Sequence, residues 1–242
     1  MELVPGLRRI GNDIIAAHLI VDDAGITLVD AGLAGHWNDL QRELTEIGRR
    51  TADIKAVILT HGDSDHIGFA ERLRRDAGVP VFVHPADAAR ARGEESTKPA
   101  WGGMKIGPIL RFLAYSIRKG GLRTEHLSDV RVVADGETLA LPGSPEIIAL
   151  PGHSPGSIAV HVPSVSALFV GDGMTTGHVL TGQRGPQPAP FTDDQAAAAA
   201  SLARLESRLG GDWSGWVIPG HGAPWRGTMV DLLGAYRAAR PA

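Results

Sequence analysis

Short apolar runs, most of them rich in β-branched residues, recur along the chain and predict strands. The runs at residues 14–21 and 26–29 flank an acidic, glycine-containing turn, which predicts a β-hairpin. The runs at residues 54–59 and 79–84 predict two further strands. Later in the chain the same pattern predicts strands at residues 130–133, 138–141, 146–150, 158–162, 167–170 and 215–219.

Helical spacing follows several of these strands. Apolar residues recur at intervals of three and four over residues 37–48, and residues 69–78 predict a helix that ends at a glycine. The Thr-Asp-Asp-Gln sequence at residues 192–195 has the form of a capping box. It precedes an alanine-rich segment that we expect to be helical as far as Leu209. A last helix is predicted around residues 229–239.

Two segments interrupt this alternation of strands and helices. The glycine-, proline- and threonine-rich residues 174–191 predict a long loop. Residues 94–128 contain a helical pattern that starts near Pro108 and ends at a Gly-Gly pair. The apolar face of this helix comprises Ile109, Leu110, Leu113 and Ile117. Two interpretations stay open: a helix packed on the core, or a lid over an active site.

Composition narrows the possible organisation of the chain. Of its 242 residues, 43% are hydrophobic, which is enough for a sizeable core. No linker or repeat divides the sequence, so we expect one domain over residues 1–242, with a lid-like insertion at about 94–128. The oligomeric state is left open, and a homodimer is one alternative.

Charge and hydropathy restrict the classes of binding partner that we expect for this protein. A net charge of −3 and scattered basic residues do not favour nucleic-acid binding. No apolar run approaches the roughly 20 residues needed to cross a membrane, and we expect a cytoplasmic protein. Because the chain contains no cysteine, any metal must be bound by histidine and carboxylate side chains.

The densest group of such side chains is the sequence Thr-His-Gly-Asp-Ser-Asp-His-Ile-Gly at residues 60–68. It lies between a predicted strand and a predicted helix. Alternate side chains of an extended backbone point to the same side. The residues concerned are His61, Asp63 and Asp65, followed by His66. Metal binding is the favoured interpretation, and a polar loop in which Ser64 or Asp65 caps the helix is the alternative.

Other potential ligands also follow apolar runs and are flanked by glycine. They are Asp30, His153, Asp172 and His221. Ligands placed at several strand ends can form one metal centre. In this arrangement the chain resembles the metallo-β-lactamase-fold superfamily, whose five motifs occur in order as Val-Asp30-Ala-Gly, residues 60–68, Gly-His153-Ser-Pro-Gly, Gly-Asp172 and Gly-His221-Gly. The resemblance implies an α/β fold, a four-layer αββα sandwich with the metals at one edge.

The resemblance further implies two divalent metal ions. The first would be bound by His61, Asp63 and His153, and the second by Asp65, His66 and His221, with Asp172 bridging. Asp30 would hydrogen-bond a ligand or its loop. Histidine and carboxylate ligands suit zinc, which we expect first, with iron or manganese as alternatives.

Asp63 departs from the superfamily motif, which has histidine at this position. A carboxylate in place of an imidazole makes the centre less positive and makes iron or manganese more acceptable relative to zinc. Asp63 can act as a ligand, or it can turn away and leave the first site one ligand short.

The function that the resemblance implies is hydrolysis by a metal-bound hydroxide, with Asp65 and Asp63 as candidates for proton transfer. The loop around His153 is similar to that of glyoxalase II and the acyl-homoserine lactonases, which favours a small ester, thioester or lactone substrate. An iron-dependent oxidoreductase and a non-catalytic metal-binding protein are the alternatives. Candidate substrate contacts are Tyr115, His178 and Trp101.

Overall fold

Two β-sheets form the centre of the fold in the computed structural model, which describes residues 1–96 and 103–239. The first sheet has seven strands in sequential order, and the strands from β4 to β7 are parallel. They are β1 (Glu2–Val4), β2 (Leu7–Gly11), β3 (Ala16–Asp22), β4 (Gly25–Val29), β5 (Ile54–Ile58), β6 (Val81–Val83) and β7 (Arg131–Val132).

The second sheet has five strands in the order β14-β13-β10-β9-β8, with β10 and β13 parallel. Its strands are β8 (Glu146–Ala149), β9 (Ile158–Val162), β10 (Ala167–Gly171), β13 (Ser214–Pro219) and β14 (Trp225–Thr228). A separate hairpin consists of β11 (Thr175–Gly177) and β12 (Arg184–Gln187).

Seven α-helices accompany the sheets in the described part of the chain. They are α1 (Trp37–Glu46), α2 (Ser64–Ile67), α3 (Ala70–Ala77), α4 (Ala88–Ala91), α5 (Ile106–Arg118), α6 (Gln195–Leu209) and α7 (Met229–Ala239). None of the helices in these ranges is both long and apolar enough to cross a membrane.

The strands are apolar on both faces because each sheet is covered on both sides. In β5, Val57 belongs to a core shared with α1 and α3, whereas the next residue, Ile58, belongs to the core between the sheets. In β10, Phe169 lies between the sheets and Leu168 packs with residues of α6 and α7. This alternation produces the predicted αββα order of layers, and the expected fold class is confirmed.

Most predicted elements are present, and three local predictions are wrong. Residues 138–141 form only an isolated bridge at Thr138, and residues 174–191 are not one loop, because they contain the β11–β12 hairpin. Helix α6 is capped by Asp194, whose side chain accepts the N–H of Ala197, so the capping residue is not Thr192. The short edge strands β1 and β14 were not apparent from hydrophobicity.

Helix α5 packs on the domain through a face that shares only Ile109 with the face that its hydrophobic pattern predicted. Phe112 and Tyr115 contact a small core that includes Ile14 and Leu180, whereas Leu110 and Leu113 are exposed. The buried hydroxyl of Tyr115 lies 2.8 Å from Nε2 of His36. Helix α5 therefore covers part of the domain and also presents an apolar face to solvent.

His36 makes the contact with α5 sensitive to pH. Burial lowers the pKa of His36 from 6.5 to about 4, with a further contribution from Lys119. Between those two values the unfolded chain binds a proton that the folded chain excludes. The free energy of unfolding therefore has its full value, as far as His36 is concerned, above about pH 6.5, and it decreases as the pH falls towards 4.

We predict that the wild-type protein loses about 2–3 kcal/mol more unfolding free energy than His36→Gln when the pH is lowered from about 7 to about 4.5. Urea unfolding at both pH values measures the difference. Tyr115→Phe is the control, because it removes the hydrogen bond but leaves the imidazole buried, and it should retain the pH dependence. Equal losses in the wild type and His36→Gln would contradict the assignment.

Candidate metal centre

The predicted ligands meet at the carboxyl ends of strands from both sheets. Residues 61–66 follow β5, His153 follows β8, Asp172 follows β10 and His221 follows β13. Since β10 is parallel to β13 and is separated from β8 by one antiparallel strand, the ends of all three lie at one edge. The backbone N–H of Ile158 donates to the Thr60 carbonyl (2.8 Å) and joins this edge to the first sheet.

One group of side chains consists of His61, Asp63 and His153, whose potential ligand atoms all lie within 4.8 Å of one another. Asp63 Oδ2 is 3.2 Å from Nε2 of His153 and 3.7 Å from Nε2 of His61. The two imidazoles and this carboxylate oxygen therefore converge on one point.

A second group consists of Asp65, His66 and His221. Nε2 of His221 is 3.4 Å from Asp65 Oδ2. Asp172 lies between the two groups: its Oδ1 is 3.6 Å from His66 Nε2, and its Oδ2 is 3.2 Å from His221 and 3.9 Å from His153. The described structure thus brings together all seven side chains that the sequence analysis proposed as ligands.

Two histidines are oriented by the carboxylate of Asp30. Nδ1 of His66 lies 2.9 Å from Asp30 Oδ2 and donates to it. The hydroxyl of Thr60 donates to the same carboxylate, so its oxygen is an acceptor for Nδ1 of His61 at 3.1 Å. Asp30 adopts a φ of 60°, a conformation that costs energy for a residue other than glycine and clusters at functional sites.

The other two histidines are oriented in the same way by different partners. Nδ1 of His221 donates to the carbonyl oxygen of Ile14. The hydroxyl of Thr192 donates to the carbonyl of Ala189, so it accepts from Nδ1 of His153 at 3.4 Å. All four imidazoles therefore carry a proton on Nδ1 in their neutral form and turn the Nε2 lone pair towards the cluster.

The charges within the cluster produce opposite pKa shifts. Burial by itself lowers the pKa of His66 and His221, but Asp30 and Asp172 raise these values to about 10 and about 9. Burial opposes ionisation of Asp172, yet the neighbouring histidines hold its pKa well below 3.8. Burial and the positive charge of His66 lower the pKa of His61. The carboxylates thus create a negative potential that favours a cation among the imidazoles.

The donor set fits a metal ion. Nε2 of His61, Nε2 of His66 and Oδ1 of Asp172 are buried and have no hydrogen-bond partner among the described residues. A Cβ on Gly220 would lie 2.4 Å from Asp172 Oδ1, so a side chain there would enter the cluster. Buried polar atoms without partners are costly, and inward-facing nitrogen and oxygen ligands of this kind suit zinc, iron and manganese.

Comparison with known proteins identifies the family. The family described as the metallo-beta-lactamase superfamily matches residues 10–221. The chain belongs to the metallo-β-lactamase superfamily. "Probable metallo-hydrolase YflN" of Bacillus subtilis is 32% identical over 216 residues, which cover 83% of this chain and 76% of that protein.

Two further relatives of this superfamily member are informative. "Hydroxyacylglutathione hydrolase GloC" of Haemophilus influenzae is 26% identical, and the match covers 65% of each chain. The protein in the crystal structure of TTHA1623 in a di-iron-bound form has 27% sequence identity to this chain. The two structures align with a TM-score of 0.64 over 97% of this chain and 98% of that one. Relatives described as a metallo-hydrolase and as a di-iron-bound protein are consistent with a metal site built from the histidines and aspartates described above.

The predicted substrate contacts have different positions. His178 lies beside a cavity of about 300 Å³, between the β11–β12 hairpin, α5 and the loop after His221. Tyr115 is not among the residues that line this cavity, and its hydroxyl contacts His36, so the structure does not support its predicted role. Trp101 lies outside the described residues.

Asp87 is an organising residue of the centre that the sequence analysis missed. Its buried carboxylate accepts the N–H groups of Gly62 (2.9 Å) and Gly156 (2.7 Å) and the hydroxyl of Ser154 (2.7 Å). It therefore ties the loop of His61 to the loop of His153. No signal in the sequence distinguished it from other aspartates at a helix start.

We predict that Asp87→Ala lowers the free energy of unfolding by about 3 kcal/mol or more, because three buried donors lose their acceptor. The control is Asp53→Ala, since the side chain of Asp53 accepts the exposed N–H of Arg50 and no other group among the described residues, and a loss of about 1 kcal/mol or less is expected. Chemical denaturation of both variants gives the comparison. Similar losses would show that the carboxylate of Asp87 does not hold the loops.

Proposed function

We propose that this protein is a metal-dependent hydrolase with two adjacent metal sites that cleaves a small ester, thioester or lactone. The observation that carries the proposal is the position of Asp172 between two ligand groups, close to a cavity whose wall includes Gly222, the neighbour of His221. His61, Asp63 and His153 would hold one ion, and Asp65, His66 and His221 the other, with Asp172 between them. Zinc is the metal we expect, on the basis of the four imidazoles.

When bound, such ions supply an activated water at neutral pH and an electrophile for a substrate carbonyl. The protein supports this chemistry by fixing each imidazole through its Nδ1–H. Asp65 is the carboxylate that we propose for proton transfer, because its side chain is 20% exposed and close to solvent. Asp63 is less suitable, since its Oδ1 is engaged by Arg90 at 3.3 Å.

The lining of the cavity supports a proposal for the chemical class of the substrate. Its apolar surface includes Ile14, Phe112 and Val179, and the ring of Phe112 lies 6.3 Å from that of His221. Arg111 and Arg184 also line it, and neither forms an ion pair with a described residue. We therefore propose a substrate with an apolar body and an anionic group such as a carboxylate.

We predict that His66→Ala combined with Asp172→Ala abolishes activity and reduces the metal content of the protein. The measurements are mass spectrometry of bound metals and hydrolysis of a panel of esters, thioesters and lactones. His161→Ala is the control, because His161 contacts Glu146 on β8 and lies outside the ligand groups. Unchanged metal content and activity in the double variant would overturn the site assignment.

We predict that Arg111→Ala combined with Arg184→Ala raises KM about tenfold for a thioester that carries a carboxylate, from the loss of charged hydrogen bonds. The neutral methyl ester of the same thioester should show little change. Arg50→Ala is the control, since Arg50 is exposed and lies before β5, at the opposite end from the site. An equal effect on both substrates would exclude recognition of the anionic group.

An iron-dependent oxidoreductase is the second candidate. Two observations favour it: the similar TTHA1623 structure is a di-iron-bound form, and Asp63 adds an oxygen ligand. Metal analysis of protein expressed without added metals separates the candidates. Iron in the purified protein together with visible absorbance, and no turnover of the ester panel, would favour this alternative.

A further inference from the structure

Asp63 uses its two oxygen atoms differently. Oδ2 faces Nε2 of His153 and Nε2 of His61, at 3.2 and 3.7 Å. Oδ1 lies 3.3 Å from Nη1 of Arg90. The carboxylate is thus oriented with one oxygen directed at the proposed first metal site and the other directed at a guanidinium.

Arg90 is almost completely buried, with 6% of its side chain exposed. Its second terminal nitrogen, Nη2, lies 2.6 Å from Asp193 Oδ2. Asp193 in turn is anchored beside the first site, because its backbone N–H donates to the carbonyl of His153 at 3.0 Å. A buried arginine requires such partners, since an unpaired buried charge is strongly destabilising.

The position of Arg90 relative to Asp63 is fixed by the backbone. Helix α4, which carries Arg90, follows Asp87, and Asp87 binds the N–H of Gly62 next to Asp63. A Cβ on Gly62 would lie 2.7 Å from the backbone nitrogen of Ala91 and 3.1 Å from Cβ of Arg90. Glycine at residue 62 therefore permits α4 to approach the ligand loop closely.

We propose that Arg90 is the residue that adapts the first metal site to an aspartate in place of the usual histidine, by holding Oδ1 of Asp63 so that Oδ2 acts as a single-oxygen ligand. The inference rests on the proposed metal centre. It assigns Asp63 as a ligand. It also accounts for the way the site accommodates a carboxylate, because the arginine charge offsets the charge that the aspartate adds.

Positioning and charge have opposite effects on metal affinity, which makes the proposal testable. Removing a cation 3.3 Å from a ligand favours a bound metal ion electrostatically. Removing the group that orients a ligand weakens binding, typically by 10–100-fold. A fall in affinity therefore reports positioning, and a rise reports charge alone.

We predict that Arg90→Gln lowers the zinc affinity of the first site about tenfold, and that the same change has little effect when residue 63 is histidine. Affinity is measured by titrating the metal-free protein against a chromophoric chelator. The background is His221→Ala, which removes a ligand of the second site only. The four proteins compared carry Arg90 or Arg90→Gln, with Asp63 or Asp63→His.

Arg90→Lys keeps the charge but loses the second donor to Asp193, and it should lie between the wild type and Arg90→Gln. Thermal unfolding shows whether Arg90→Gln is folded, and if it is not, Arg90→Lys takes its place in the comparison. Three results would overturn the proposal. The first is an unchanged or higher zinc affinity in Arg90→Gln, and the second is an equal fall in affinity whether residue 63 is aspartate or histidine. The third is the absence of zinc from the first site when both Arg90 and Asp63 are present. Because no outcome depends on turnover, failure of the proposed hydrolase activity is detected separately.

Discussion

The ligand cluster of this protein depends on the hydrogen bonds that the four histidines of the cluster donate through Nδ1. Each acceptor lies outside the ligand cluster: Asp30 for His66, Thr60 for His61, and the remaining two on other segments. With Nδ1 protonated, every Nε2 presents a lone pair to the same small volume. Imidazoles with the opposite tautomer would present N–H groups there and would repel a metal ion.

One of these acceptors, Asp30, has a positive φ that serves its hydrogen bonds to the ligand loop. Asp30 adopts a positive φ immediately after β4, and in this conformation its carboxylate accepts both the N–H and the hydroxyl of Thr60. Asp87 performs a similar task on the other side, between the loops of His61 and His153. The two carboxylates thus connect strand ends from both sheets, and their hydrogen bonds to the scaffold hold the ligand loops in place.

The cavity close to the ligand groups is formed by less regular structure than the sheets. Helix α5 and the β11–β12 hairpin enclose the cavity, and they contact each other through a small core around Ile14 and Leu180. Loops and helices added around such a scaffold edge commonly determine which substrate fits. Arg111 lies on α5 and Arg184 on β12, so these two elements also position the two arginines that line the cavity.

The layer order was implied by the resemblance to the superfamily, whereas the sequence by itself predicted the strands at the centre of both sheets and the whole set of candidate ligands. These features are local: apolar runs predict strands, and glycine-flanked histidines and aspartates at the strand ends indicate metal ligands. The roles of Asp30 and Asp63 could be suggested from the motif alone, but whether Asp63 faces the other ligands could not.

Tertiary structure decided what depends on contacts between distant segments. Asp87 and Arg90 are ordinary residues in the sequence, and only the approach of α4 to Gly62 makes them part of the centre. The buried face of α5 differs from the predicted one because Tyr115 is fixed by His36, about eighty residues earlier in the chain. Hydrophobic periodicity records which residues are apolar, but the partner that covers them is chosen by packing across the fold.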